Sequence, residues 1–283
     1  MTDFYEFSYT EQKIAELPKR PERSNKGTFG RVLCVCGSYG MAGAAYLSAL
    51  GAYRAGAGLV EIFTPEENRT ILQTLLPEAV LKVYNTESPD TAQLESSIDS
   101  SSAVVIGCGL GKSRTALTLL KTVLIYSDKP TVIDADALNL LSEHPALMKY
   151  ARSRIITPHP AEMSRLSGIP VEDILNNVKE TAYDFAKKHS LVCVLKDHNT
   201  IVSDGSDKIY VNRSGNSGMA TGGSGDVLAG IIGALLAQKH LALSDFDAAT
   251  LGVYIHGLAG ERAAKALGEY SVMARDIAEN VRI

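Results

Sequence analysis

Gly222, Gly223 and Gly225, threaded with Ser224 and closed by Asp226, are the residues of this sequence best suited to chemistry. Glycines remove side chains where backbone N–H groups could converge on an anion, and an apolar run over 227–237 supplies a helix whose positive dipole end points the same way. That combination is a phosphate and oxyanion cradle made of backbone. A carboxylate at its mouth would repel bound phosphate unless it had chemical work. The fitting task for Asp226 is to orient or deprotonate a hydroxyl that attacks a terminal phosphoryl group, while the backbone donors neutralise charge on the phosphate oxygens. A plainer account has Ser224 capping the helix and Asp226 occupying its first turn. Capping alone, however, needs no cluster of glycines ahead of it.

Other stretches carry weaker signals. Gly111, Lys112 and Ser113 imitate the end of a P-loop, but Ile106 stands where its first glycine belongs, and Lys112 spoils the dinucleotide fingerprint begun by Gly107 and Gly109. Neither a P-loop ATPase nor a Rossmann dehydrogenase is supported, although this run follows a strand and admits a ligand close to the backbone. The small residues from Gly37 to Ala44 leave room for a flat ring or a ribose, or serve helix packing. Asp134 and Asp136 could hold Mg²⁺ through water or brace loops by accepting backbone hydrogen bonds; two carboxylates define no metal site. His159, held between Pro158 and Pro160, suits a rigid contact to a polar ligand or a helix cap, and Glu162 suits a hydrated cation or the helix N-terminus. Lys196 offers positive charge to phosphate and Thr200 a hydroxyl, with Asp197, His198 and Asn199 between them; a charged hairpin would look similar.

These residues sit at the ends of short apolar segments. Strands are expected at 31–36, 59–63, 79–83, 103–106, 131–134, 154–157 and 191–196, alternating with helices at 42–55, 66–75, 91–98, 115–125, 161–167 and 171–188. Strands without polar alternation imply burial on both faces, hence a mainly parallel sheet covered by helices. Residues 201–203 and 208–211 flank Asp204, Gly205, Ser206 and Asp207, a hairpin signal, and 224–283 is nearly all helical. Residues 1–25, with a short helix at 10–17 and breaks at Pro18 and Pro21, read as an arm packed on one domain spanning 26–283. The 28 basic and 32 acidic residues, net charge -4, predict no general attraction to nucleic acid or anionic lipid. No apolar run reaches the length of a membrane span, and acidic residues stand where an export signal carries positive charge, so a cytoplasmic protein is expected. Cys34, Cys36, Cys108 and Cys193 read as buried thiols.

Taken together, Lys26 to Leu33, Gly37-Ser38, Gly43-Ala44-Ala45, Arg54 to Val60, Gly107 to Gly111, Asp134 to Leu138, Thr157 to Pro160 and above all Gly215 to Gly230 resemble the ADP/ATP-dependent (S)-NAD(P)H-hydrate dehydratase family. The resemblance implies a ribokinase-like three-layer α/β/α fold whose central, mainly parallel sheet has a small antiparallel addition. It implies repair of hydrated NADH and NADPH by phosphorylation of the ring hydroxyl and loss of phosphate, with ADP or ATP as donor, AMP or ADP as product, and Mg²⁺ as cofactor. Carried over by motif, Asp226 is the base and touches substrate. Gly225 contacts AMP, residues 196–200 form the loop that holds it, and Ala44, Gly111 and His159 contact the hydrated dinucleotide. Metal ligands are not assigned. Members are commonly homo-oligomers, often tetramers, and with no room in 283 residues for an epimerase domain, epimerisation would fall to another protein or to slow spontaneous interconversion. Cys108, Ala161 and Ser224 depart from the family's usual proline, glycine and threonine, which bears on loop stiffness. A kinase of a vitamin-precursor alcohol would share the fold and the cradle, and a nucleotide-sensing protein without turnover is the alternative from another class.

Overall fold

The computed structural model describes residues 4–283, so the first three residues of the expected arm lie outside it. In chain order the elements are β1 (Tyr5–Phe7), α1 (Gln12–Ala15), β2 (Arg31–Val35), α2 (Ala42–Arg54), β3 (Leu59–Pro65), α3 (Arg69–Leu75), β4 (Val80–Tyr84) and α4 (Thr91–Asp99). Next come β5 (Ala103–Ile106), α5 (Arg114–Tyr126), β6 (Thr131–Ile133), α6 (Asp136–Glu143), β7 (Ile155–Ile156), α7 (Pro160–Ser167), α8 (Val171–Asn176) and α9 (Val178–His189). The chain closes with β8 (Val192–Leu195), β9 (Ile201–Ser203), β10 (Lys208–Val211), α10 (Ser224–Ala237), α11 (Asp245–Leu267) and α12 (Ala274–Glu279).

The strands form one sheet in the order β1-β10-β9-β8-β7-β6-β5-β2-β3-β4. Strands β2 to β8 run parallel, β9 and β10 add the expected antiparallel hairpin, and β1 pairs parallel with β10. One face packs under α2, α3, α10, α11 and α12 and the other under α4 to α9, each over its own apolar cluster. Val32 and Cys34 belong to the first cluster and Leu33 and Val35 to the second, which is why these strands read as unbroken apolar runs. Cys34 and Cys36 share a face, and all four cysteines are free and buried.

Two expectations change. The helix expected over 171–188 is two helices, broken at Asn177 (φ -139°, ψ 48°), whose side-chain amide donates to the Asp173 carbonyl at 3.0 Å. The amide thus ends one helix by offering its backbone a competing partner. The arm does more than cover the core: β1 extends the sheet, and Phe7 and Tyr9 wedge against the buried ring of Tyr210. Helix α10 lies close on α2, because at Gly230 any Cβ would meet the Ser48 carbonyl oxygen at 1.9 Å. This contact aims the N-terminus of α10.

Candidate active site

Chain order sends β2, β3 and β4 toward one edge and β5 onward toward the other, so the loops after β2 and β5 face each other at a switch in direction. Ligands of open α/β sheets bind at such crevices, beyond the carboxyl ends of the strands. The two loops are tied by the Gly37 N–H, which donates to the Cys108 carbonyl at 2.8 Å. Ala44 and Gly111 lie here: the buried Ala44 packs on Gly109, and Gly111 faces Ser38 while its N–H donates to Asp136 Oδ2 at 2.8 Å.

The ends of β6, β7 and β8 then deliver Asp134, Thr157 and Lys196 side by side. Lys196 Nζ donates to Asp134 Oδ1 at 2.9 Å, Thr157 Oγ1 donates to the same oxygen at 2.7 Å, and Glu162 Oε2 stands 3.9 Å from the ammonium. Burial pulls the Lys196 pKa down, but Asp134 and Glu162 outweigh it and the net shift is upward, so the cation persists. Ala135 holds φ 50° and ψ -117°, a conformation rare for a residue with a side chain, at the turn into α6.

A cavity of about 990 Å³ opens beside these groups, lined by Asp134, His159, Glu162, residues 196–200, residues 212–217 and residues 223–226. The glycine-rich stretch forms its anion end. Gly223 takes φ 92° as the residue preceding α10, and a Cβ there would meet Leu47 at 2.3 Å. No side chain caps the helix, and among the described residues the Gly225 and Asp226 N–H groups have no acceptor. Ser224 does not cap; its hydroxyl lies 3.3 Å from Nε2 of His256, a buried histidine of α11 whose pKa burial lowers to about 4. His256 is therefore neutral and braces Ser224. Histidine spacing along the sequence gave no sign of it.

Asp226 is largely enclosed. Burial first and the neighbouring Asp134 next push its pKa up to about 7, against relief from the Cys108 thiol and Lys196. A carboxylate poised there can take a proton near neutral pH. His159 caps α7, one of the two roles its setting allowed. Its Nδ1 accepts the Ala161 and Glu162 N–H groups at 3.1 and 3.3 Å, Glu162 Oε2 accepts the His159 N–H at 2.8 Å, and the half-exposed ring lines the cavity. Burial, then Lys196, lowers the His159 pKa, while burial raises that of Glu162. Asp197, His198, Asn199 and Thr200 make the β8–β9 turn along the cavity rim, and Gly222 is open to solvent space. The cavity thus unites every expected nucleotide residue except Gly222, together with His159 and Asp226, whereas Ala44 and Gly111 stand across the β2–β5 crevice.

The sequence profile of NAD(P)H-hydrate dehydratase matches residues 32–282. The chain belongs to that family. It is 41% identical over 287 residues to the bifunctional NAD(P)H-hydrate repair enzyme of Coxiella burnetii, covering 99% of this chain and 57% of that protein. It is 40% identical over 268 residues to the ADP-dependent (S)-NAD(P)H-hydrate dehydratase of Neisseria meningitidis, covering 93% of this chain and 87% of that one. The chain spans about half the length of the bifunctional relatives it matches. Among solved structures, a ribokinase-like superfamily protein from Enterococcus faecalis superposes with a TM-score of 0.85 at 32% identity, over 98% of this chain and 94% of that one. The ADP/ATP-dependent NAD(P)H-hydrate dehydratase of Bacillus subtilis, co-crystallised with ATP/Mg²⁺, gives 0.81 at 29% identity, over 96% and 95%. The fold is ribokinase-like, and no helix among the described residues is long and apolar enough to cross a membrane.

Proposed function

We propose that this chain dehydrates the S epimer of hydrated NADH and NADPH at the expense of ADP or ATP, with Asp226 as the base. The observation that carries the reading is a carboxylate with a pKa near 7 beside two unpaired N–H groups at the start of α10, in a cavity that also holds Lys196. Asp226 takes the proton of the ring hydroxyl as its oxygen bonds to the terminal phosphorus. The phosphoanhydride bond breaks and AMP or ADP leaves. The Gly225 and Asp226 N–H groups and the Lys196 ammonium hold the negative charge on the transferring group. The phosphorylated ring then loses phosphate by C–O cleavage and a proton from the adjacent carbon, restoring NAD(P)H.

Residues 196–200 hold the nucleotide against residues 222–225, and His159 meets the dinucleotide from the cavity wall. Ala44 and Gly111 receive it across the β2–β5 crevice. A hydrated Mg²⁺ fits this donor set through Glu162, a buried carboxylate on the cavity wall; Cys108, Asp134 and Asp226 suit it less, since a thiol is a poor magnesium ligand. When bound, Mg²⁺ supplies charge neutralisation at the phosphates. The test is turnover of hydrated NADH with ADP and with ATP by wild type and Asp226→Asn, reading nicotinamide absorbance and released phosphate. The reading requires restored absorbance in the wild type and near-complete loss in the variant with nucleotide binding retained. A stable phosphorylated product without restored absorbance would mark a kinase instead.

A further inference from the structure

With Asp226 read as the base, we infer that the Cys108 thiol is a positioning residue for the reaction, a hydrogen-bond donor wedged between the Asp134 and Asp226 carboxylates. Cys108 follows β5 at the crevice between the two halves of the site and is wholly buried. Its Sγ lies 3.8 Å from Asp134 Oδ2, a reach suited to sulfur, and the sulfur and one oxygen from each of Asp134 and Asp226 fall within 4.8 Å of one another. The loop is held in place, because the Gly37 N–H ties down the Cys108 carbonyl at 2.8 Å. Lys196, the nearby cation, is committed to Asp134 and Glu162.

Two carboxylates this close oppose each other's ionisation, and Asp226 must ionise to act. A donor between them offsets part of that repulsion without admitting water. Cys108 can play the part only while protonated. The Cys36 thiol pulls its pKa down, but burial and the Asp226 and Asp134 carboxylates push it up, to about 12. It is therefore a donor and not a nucleophile at neutral pH. The other groups facing Asp226 are Asp134 and Asp136 from the β6–α6 turn and Lys196 from the end of β8. From α11, the neutral His256 braces the adjoining Ser224. None of these supplies a neutral donor to Asp226.

The test compares Cys108→Ser, which keeps a donor, with Cys108→Ala and Cys108→Val, which do not; valine keeps the volume. The first readout is a carboxyl ¹³C titration of Asp226 in the nucleotide-free protein, with its resonance assigned by its absence in Asp226→Asn. Both donorless variants should titrate at higher pH than wild type by about half a unit or more, with serine near wild type. The second is the pH profile of kcat/KM with hydrated NADH and ADP, where the donorless variants should lose about threefold or more at pH 6 relative to pH 8. An unmoved Asp226 titration in alanine and valine, or a serine variant that behaves like them, overturns the inference. A shifted titration with an unshifted rate profile would instead remove Asp226 as the base and leave the thiol's hold on it standing.

Discussion

Asp226→Asn should make the protein more stable as it makes it inactive, and the gain should grow with pH. Folding raises this carboxyl from an ordinary 3.8 to about 7, chiefly by burial and by Asp134. The native state therefore binds the proton more tightly than the unfolded chain does. Ionisation costs stability, with the cost beginning near the unfolded value and complete above the folded one. From those two values the linkage relation gives a cost of about 1.6 kcal/mol at pH 5 and about 4 kcal/mol at pH 8. Asparagine has nearly the same shape and no charge to bury. For 283 residues an unfolding entropy of about 0.6 kcal/mol per kelvin follows, so the variant should melt about 3 °C higher at pH 5 and about 7 °C higher at pH 8. Calorimetric melts of nucleotide-free wild type and variant at both pH values decide it. An equal gain at the two pH values, or a loss at pH 8, refutes the claim that a buried, mutually repelled carboxylate is held in the site.

Lys196→Met removes the cation between Asp134 and Glu162, and the loss of a charge-assisted contact of about 1.5–3 kcal/mol should weaken ADP binding by roughly ten- to a hundredfold in titration calorimetry. Ala135→Gly relieves the φ 50° strain at the turn into α6 and should stabilise the fold by about 1 kcal/mol in denaturant melts, after the entropy that glycine adds to the unfolded chain. Gly230→Ala drives a methyl group into the Ser48 carbonyl and should cost about 2 kcal/mol or more; since the same contact aims α10, nucleotide affinity should fall with stability.

Much of the fold was legible because burial on both faces leaves a mark on every strand residue. Leu33 and Cys34 point to opposite helical layers, so both must be apolar, and a run of such residues announces a covered parallel strand. The break at Asn177 left no such mark, since one side-chain hydrogen bond decided it. Strand β1 was equally hidden: its partner β10 lies about two hundred residues away, and nothing in Tyr5, Glu6 and Phe7 announces the register.

The site divides in the same way. The glycines and Asp226 could be read from the sequence alone, because a backbone anion cradle needs a local run of residues lacking side chains, followed by a helix, and the motif resemblance extends over most of the chain. Only the tertiary structure decided that Ser224 is braced by His256 and so leaves the helix end uncapped. It alone brought Cys108 to lie against two carboxylates, and let Asp134, arriving from another strand end, lift Asp226 to a pKa near 7. Local chain geometry is written in neighbouring residues. Desolvation and charge repulsion depend on distances between groups from different strands and helices, and those distances exist only once the sheet has formed.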